Sequence, residues 1–303
     1  MHLDVGAFCM SADFHRAGTV SRMDTGSGQQ VVMFIHGMWS RPPVWDNFRS
    51  FFEARGYRTV TPALRHRTEP GVAPHPDLGT TSIADYAADL TAEIEKLGSP
   101  PLIVGHSMGG LLAQILAARK LARAAVCLAS AHCAGYVTLD RGPMRIFSEH
   151  VLSGRFWRRP QLPSLAAMRS GVLNGLPPAE QDALYATLVP ESGRAFFEIG
   201  YWFLDRQRTT WINPADVSCP LLMLTGAEDA LTPLAFTRRV AEGYGDRAVF
   251  EGLPERSHWL PAEPGWERIA ERAATFFEKE APMMARRLPA SRPIVTGDLV
   301  HAG

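Results

Sequence analysis

Lysine is nearly missing from this 303-residue chain: Lys96, Lys120 and Lys279 stand against 28 arginines. The arginine bias reads as the coding signature of a GC-rich bacterial genome and says nothing of function. Excess charge of either sign is missing too, with 31 basic residues against 31 acidic ones. That speaks against a nucleic-acid binder, which would show a basic excess or a basic face, and removes the electrostatic case for an anionic membrane. No apolar run approaches the roughly 18 residues that signal a bilayer span. There are four cysteines (Cys9, Cys127, Cys133, Cys219), with no CxxC pair and no zinc-like His/Cys spacing. No metal and no organic cofactor is therefore expected. The N-terminal stretch carries an acid at Asp4 and lacks a sustained apolar core, so it makes a poor signal peptide and a cytoplasmic setting is expected.

What is present is an ordinary globular balance, 46% hydrophobic and 20% charged. A chain this long can bury roughly three-quarters of its unfolded surface and needs no disulfide or metal staple. By length it is one large or two ordinary domains. Short apolar, β-branched runs alternate with helical patterns. Strands are expected at 31–35, 57–61, 101–104 and 124–129, with helices at 44–55, 82–97 and 107–119 between them. Ser82, with Asp85 three residues on, reads as a helix N-cap. The strands are apolar throughout, as double burial requires, so the rhythm predicts an α/β fold with a mostly parallel central sheet and helices on both faces.

Between 134 and 216 the rhythm breaks. Aromatics (Phe147, Phe156, Trp157, Tyr185, Phe196, Phe197, Tyr201, Trp202, Phe203, Trp211) and prolines (Pro160, Pro163, Pro177, Pro178, Pro190) mark an insertion of short helices. These aromatics are read either as a pocket wall or as the insertion's own core. Strands then return at 221–225 and 248–250, with helices at 233–244 and 264–280. The expected organisation is a core over 1–133 and 217–280, a helical cap or lid over 134–216, and a tail over 281–303.

The sharpest motif is Gly105-His106-Ser107-Met108-Gly109, a G-x-S-x-G pattern between a strand and a helix. A tight strand-to-helix turn strains the serine backbone and thrusts Oγ out, and any Cβ at the flanking glycines would clash across the turn. Ser107 then sits at a helix N-terminus, where free N–H groups and the positive dipole end favour an oxyanion. A serine hydroxyl needs a base. Of ten histidines only His258 and His301 lie beyond the strand at 221–225, and His301 is two residues from the C-terminus. His258 falls in a loop at the carboxyl end of a strand, where open α/β sheets place their sites. Glu228 and Asp229 follow the strand at 221–225, and Asp229, the shorter and better framed, is taken as the acid. Ser130-Ala131-His132-Cys133 offers no carboxylate at the competing position. The oxyanion donors are the Met108 N–H and the Met38 N–H, the latter in the His36-Gly37-Met38-Trp39 loop. His36 reads as structural, its ring bonded to loop backbone. Gly37, Trp39, His106 and Trp202 are expected to meet substrate.

With these residues in place the chain resembles the α/β-hydrolase superfamily over roughly residues 30–280. The likeness rests on the His-Gly after the family's third strand, the Gly-His-Ser-Met-Gly-Gly elbow, the Gly-x-x-Asp-x-x-x-Pro segment and the late Ser-His. Trp45, nine residues after His36, also fits the family's pattern. The capped carboxylesterase and lipase-like branch is the nearest match, which implies a helical cap inserted after the sixth strand of the family's count. Pro62-Ala-Leu-Arg-His-Arg67 departs from the Asp-x-x-Gly-x-Gly that many relatives carry there. Serine at the nucleophile position argues against the dehalogenase and epoxide-hydrolase branches, whose ester intermediate needs a carboxylate. The resemblance implies a cofactor-free serine hydrolase of small, largely apolar esters, acting as a monomer or homodimer. The same triad serves lactonases, C–C bond hydrolases, acyltransferases and cofactor-free haloperoxidases, and a non-catalytic receptor on this fold is the reading from another class.

Overall fold

The computed structural model describes residues 29–136, 143, 146 and 154–282. Expectations for the first 28 residues (Cys9 among them), Phe147, His301 and the tail beyond 282 lie outside them. The sheet has six strands: β1 (Val31–Ile35), β2 (Arg58–Val60), β3 (Leu102–His106), β4 (Ala124–Leu128), β7 (Leu221–Gly226) and β8 (Ala248–Leu253). Their order is β2-β1-β3-β4-β7-β8, and every pairing is parallel. This is the α/β-hydrolase fold. Two residue pairs, β5 (Pro160–Gln161) and β6 (Glu191–Ser192), form a separate antiparallel ribbon that the sequence pattern does not predict. Two residues are too few to carry a period-two signal.

Alternate residues of the central strands serve opposite faces. Val32, Phe34, Val104, Val126 and Leu224 join one core with Trp45, with Phe48 and Phe52 from α1 (Asp46–Glu53) and with Phe277 from the last helix. Met33, Ile35, Ile103, Ala125 and Met223 join the other, against α2 (Ile83–Leu97) and α3 (Met108–Ala118). The helix expected at 44–55 begins instead as a 3-10 turn, Pro42–Trp45, because consecutive prolines lack the N–H groups of a helix interior. Helix α2 follows its sequence signals: Ser82 and Asp85 form a capping box, and Gly98 ends it at φ 75°.

Between β4 and β7 lie α4 (Leu165–Gly171), α5 (Pro178–Tyr185) and α6 (Gly193–Gly200), all short. Beyond β7 come α7 (Leu234–Gly243) and α8 (Trp266–Glu280). Many aromatics of the 154–216 stretch pack on each other: Phe156 meets Phe196, Phe197 and Tyr201 at centroid distances of 6.1, 6.3 and 5.6 Å. Two buried carboxylates tie this stretch to the core. Glu191 pairs with Arg67, accepts from Tyr86 Oη at 2.7 Å, and sits with both ionic side chains almost wholly buried. Glu198 accepts from the Ile83 N–H at 2.8 Å and from Ser82 Oγ, at the positive end of α2, and pairs with Arg194 at 2.7 Å.

A buried pair adds little over an apolar substitute, but losing one partner strands the other charge. Glu191→Ala should therefore lower unfolding stability by about 3–5 kcal/mol through the orphaned Arg67, read as a fall in the urea midpoint. An unchanged midpoint would show that Arg67 finds water instead.

Candidate active site

The elbow between β3 and α3 places Ser107. Its backbone stands at φ 53° and ψ −119°, a conformation that L-residues rarely adopt and that costs roughly 1–3 kcal/mol. Hydrogen bonds hold it there: the Ser107 N–H donates to Leu128 O at 2.9 Å, and Ser107 O accepts from Gly110, Leu111 and Ala131 N–H at 2.9, 3.2 and 2.9 Å. The flanking glycines are sterically required. A Cβ on Gly105 would stand 2.1 Å from Gly109 O, and one on Gly109 would stand 2.0 Å from Ile35 O.

His258 follows β8 and is 1% exposed. Its Nδ1–H donates to Asp229, at 2.9 Å to Oδ2 and 3.1 Å to Oδ1. Asp229, in the turn after β7, is buried and cradled by its own loop. It accepts from the Leu231 and Thr232 N–H groups at 2.9 and 2.7 Å and from Thr232 Oγ1 at 2.6 Å. Those donors fix the carboxylate and with it the imidazole tautomer, leaving Nε2 as the basic nitrogen. Glu228 is exposed beside it. No hydrogen bond joins Ser107 Oγ to His258 among the described residues; catalytic contacts of this kind often tighten only around substrate.

The histidine loop is braced from two sides. Glu263, 2% exposed, accepts from the Ser257 and Trp259 N–H groups at 3.0 Å each and from Ser257 Oγ, gripping both neighbours of His258. His106 Nε2–H donates to the His258 carbonyl at 2.8 Å. Burial, with His258 nearby, holds the His106 pKa down to about 3. His36 behaves likewise: burial and Arg67 depress it to about 3, its Nδ1–H donates to Gly37 O at 2.9 Å, and Nε2 accepts from the Leu64 N–H at 3.3 Å. Its ring is thus bonded to loop backbone, as read from sequence.

On the oxyanion side, neither the Met38 nor the Met108 N–H donates to another backbone carbonyl among the described residues. Gly37 lies against Ser107: a Cβ on it would come within 3.0 Å of Ser107 Cβ. Trp39 adopts φ 61° and is bonded twice to the 154–216 stretch, Nε1–H to Gln161 O at 3.1 Å and its carbonyl to the Val189 N–H at 2.8 Å. A cavity of ≈ 30 Å³ opens here, lined by Met38, Trp39, Ser107 and Met108, and by Ala131, His132, Pro143, Ile199, Leu231 and Thr232.

Of the four residues expected to meet substrate, Trp39 lines that cavity and Gly37 backs it. His106 and Trp202 do not line it: His106 lies beneath the His258 backbone, and Trp202 Nε1–H is spent on Tyr136 O at 2.9 Å. None of the aromatics from the 154–216 stretch lines it; Pro143 and Ile199 do. Sequence reasoning missed Glu263, Thr232 and His132. The only signal for Glu263 was a carboxylate five residues past His258, too common a spacing to use. Cys127, Cys133 and Cys219 are free, with burial raising each thiol pKa. His66, His75 and Asp77 bring donor atoms within 4.8 Å of one another, the one such metal-type trio found among the described residues, in the loop after β2. None of the three lines the Ser107 cavity.

Comparison with known proteins supplies context for this geometry. The profile of the Alpha/beta hydrolase family matches residues 32–272. A pimeloyl-[acyl-carrier protein] methyl ester esterase from Chromobacterium violaceum is 29% identical over 242 residues, covering 77% of this chain and 88% of the relative. Among solved structures, a monoacylglycerol lipase from Paleococcus ferrophilus superposes with TM-score 0.62 at 16% identity, covering 83% of this chain and 95% of that one. A thermophilic esterase from Thermogutta terrifontis gives TM-score 0.61 at 21% identity, covering 82% and 90%. No described helix is long and apolar enough to cross a membrane.

His36 and His106 are kept neutral in the folded state to about pH 3, whereas the unfolded chain protonates its histidines below about 6.5. Between those limits the unfolded state binds more protons, so stability is full above pH 6.5 and falls as pH drops toward 3. Each histidine adds up to about 1.4 kcal/mol per pH unit to that slope. Urea midpoints measured from pH 7 to 4 should therefore decline less steeply in His36→Asn than in the parent chain. Equal slopes would count against a neutral buried His36.

Proposed function

The chain belongs to the alpha/beta hydrolase family, and from that premise we propose that it is a serine hydrolase cleaving carboxylic esters of small, largely apolar substrates. The observation that carries this reading is the pairing of His258 with a turn-held Asp229 beside a serine on a strained elbow. The name of the Chromobacterium relative, a methyl ester esterase, points the same way.

In this reading Ser107 Oγ attacks the acyl carbonyl while His258 Nε2 takes its proton. Asp229 stabilises the imidazolium without itself accepting a proton. The Met38 and Met108 N–H groups receive the oxyanion, each worth on the order of 10²–10³ in rate. His258 then protonates the departing alcohol, activates water, and Ser107 is restored by hydrolysis of the acyl-enzyme. Residues 134–216 are read as the helical cap that closes the site. A cavity of ≈ 30 Å³ favours short acyl groups.

Ser107→Ala should abolish hydrolysis of short p-nitrophenyl esters and labelling by a fluorophosphonate, with the fold unchanged by circular dichroism. Wild-type activity in that variant would remove Ser107 from the nucleophile role. Asp229→Asn should lower kcat by about 10⁴ by favouring the wrong tautomer, whereas Glu228→Gln should stay within a few-fold of the parent. The reverse ranking would make Glu228 the acid.

A further inference from the structure

The chain leaving β4 runs through Ser130-Ala131-His132-Cys133, and no step above uses His132. Its ring nevertheless forms part of the wall of the cavity that opens on Ser107. Phe236 of α7 steadies the ring edge to face, with centroids 4.9 Å apart and planes at 63°. The neighbouring walls are apolar side chains: Met38, Met108, Ile199 and Leu231.

Apart from Ser107, the other polar side chains around the cavity are hydrogen-bonded. Trp39 Nε1–H is bonded to Gln161 O and Thr232 Oγ1–H to Asp229. His132 differs: neither ring nitrogen makes a well-formed hydrogen bond among the described residues, Nδ1 is shut off from solvent, and the Cys133 backbone is the one hydrogen-bonding group that acts on the ring. Burial pushes its pKa down to about 4 against a smaller opposing pull from the Cys133 backbone, so at neutral pH it presents one donor and one acceptor. A polar group shut off from solvent and left unmet is costly and is ordinarily matched by water or by ligand.

We propose that His132 is a specificity-determining residue, and that the preferred substrates are short-chain esters whose acyl group carries a hydrogen-bonding oxygen, such as alkoxy- or hydroxy-acyl esters. The acyl side is assigned because the cavity wall includes both Met38 and Met108, so a carbonyl held by their N–H groups sets its acyl chain beside His132. The inference rests on the esterase reading above. One hydrogen bond is worth about three- to tenfold in rate.

The test compares p-nitrophenyl methoxyacetate with p-nitrophenyl butanoate, in which an oxygen replaces one methylene at equal chain length. Each kcat/KM is divided by the hydroxide-catalysed rate of the same ester to cancel intrinsic reactivity. The wild-type ratio should favour the methoxy ester by about three- to tenfold. His132→Phe, which keeps an aromatic ring against Phe236, should bring the ratio to about one, with KM for the methoxy ester rising more than kcat falls. His132→Gln, which keeps a donor and an acceptor, should restore part of it. A ratio near one in the wild type, a ratio unchanged in His132→Phe, or one lost equally in His132→Gln overturns the assignment. Wild-type protein that hydrolyses neither ester and takes no fluorophosphonate at Ser107 would overturn the esterase reading itself, and this inference with it.

Discussion

Everything at the site depends on how closely two backbones approach at the elbow. Gly105 packs against the carbonyl of Gly109, and Gly109 against the carbonyl of Ile35, at separations no side chain could tolerate. That contact locks the start of α3 onto β1 and β3 and leaves Ser107 no relaxed conformation. The strain of roughly 1–3 kcal/mol is offset by the four main-chain hydrogen bonds around Ser107. The same contact sets Ser107 against Gly37, so the candidate nucleophile and the two candidate oxyanion donors derive their spacing from one crossing point.

Around that crossing the polar groups act mainly on backbone. Glu263 grips the N–H groups on both sides of His258, His106 holds the His258 carbonyl, and His36 bridges Gly37 to Leu64. Two of these are histidines made neutral by burial. A neutral imidazole donates at one nitrogen and accepts at the other, and brings no charge that would compete with Asp229 for His258. Asp229 in turn spends its other lone pairs on its own turn, which leaves its orientation toward His258 little freedom.

The parts legible in sequence were those encoded by local chemistry. The parallel sheet showed in short β-branched runs, α2 in Ser82 and Asp85, and the elbow in glycines whose reason is steric. Asp229 could be preferred to Glu228 because the turn it sits in was bounded by Gly226 and Pro233. What stayed hidden depends on contacts between distant segments. Glu263 and Thr232 are ordinary residues until the loops after β7 and β8 come together. The ribbon of β5 and β6 is too short to have a period. The aromatics of the inserted stretch were ambiguous because ring content fixes burial without saying what the rings are buried against; in the structure they meet each other, with Phe196 reaching Trp39 at 6.3 Å.

That last contact ties the 154–216 stretch to the candidate site. Trp39 shares a loop with the candidate oxyanion donor Met38, and its indole N–H, its carbonyl and its ring each engage residues between 161 and 196. Glu191 and Glu198 fasten the same stretch to Arg67 and to the start of α2 through buried charges. Buried pairs of this kind contribute geometry more than net stability. A displacement of the stretch would break them together with the Trp39 bonds, and would move the backbone on which the Met38 N–H is carried. The size of the cavity and the aim of the candidate oxyanion donor are therefore set by one set of contacts, so a change that enlarges the cavity from this side also loosens the group proposed to stabilise the transition state.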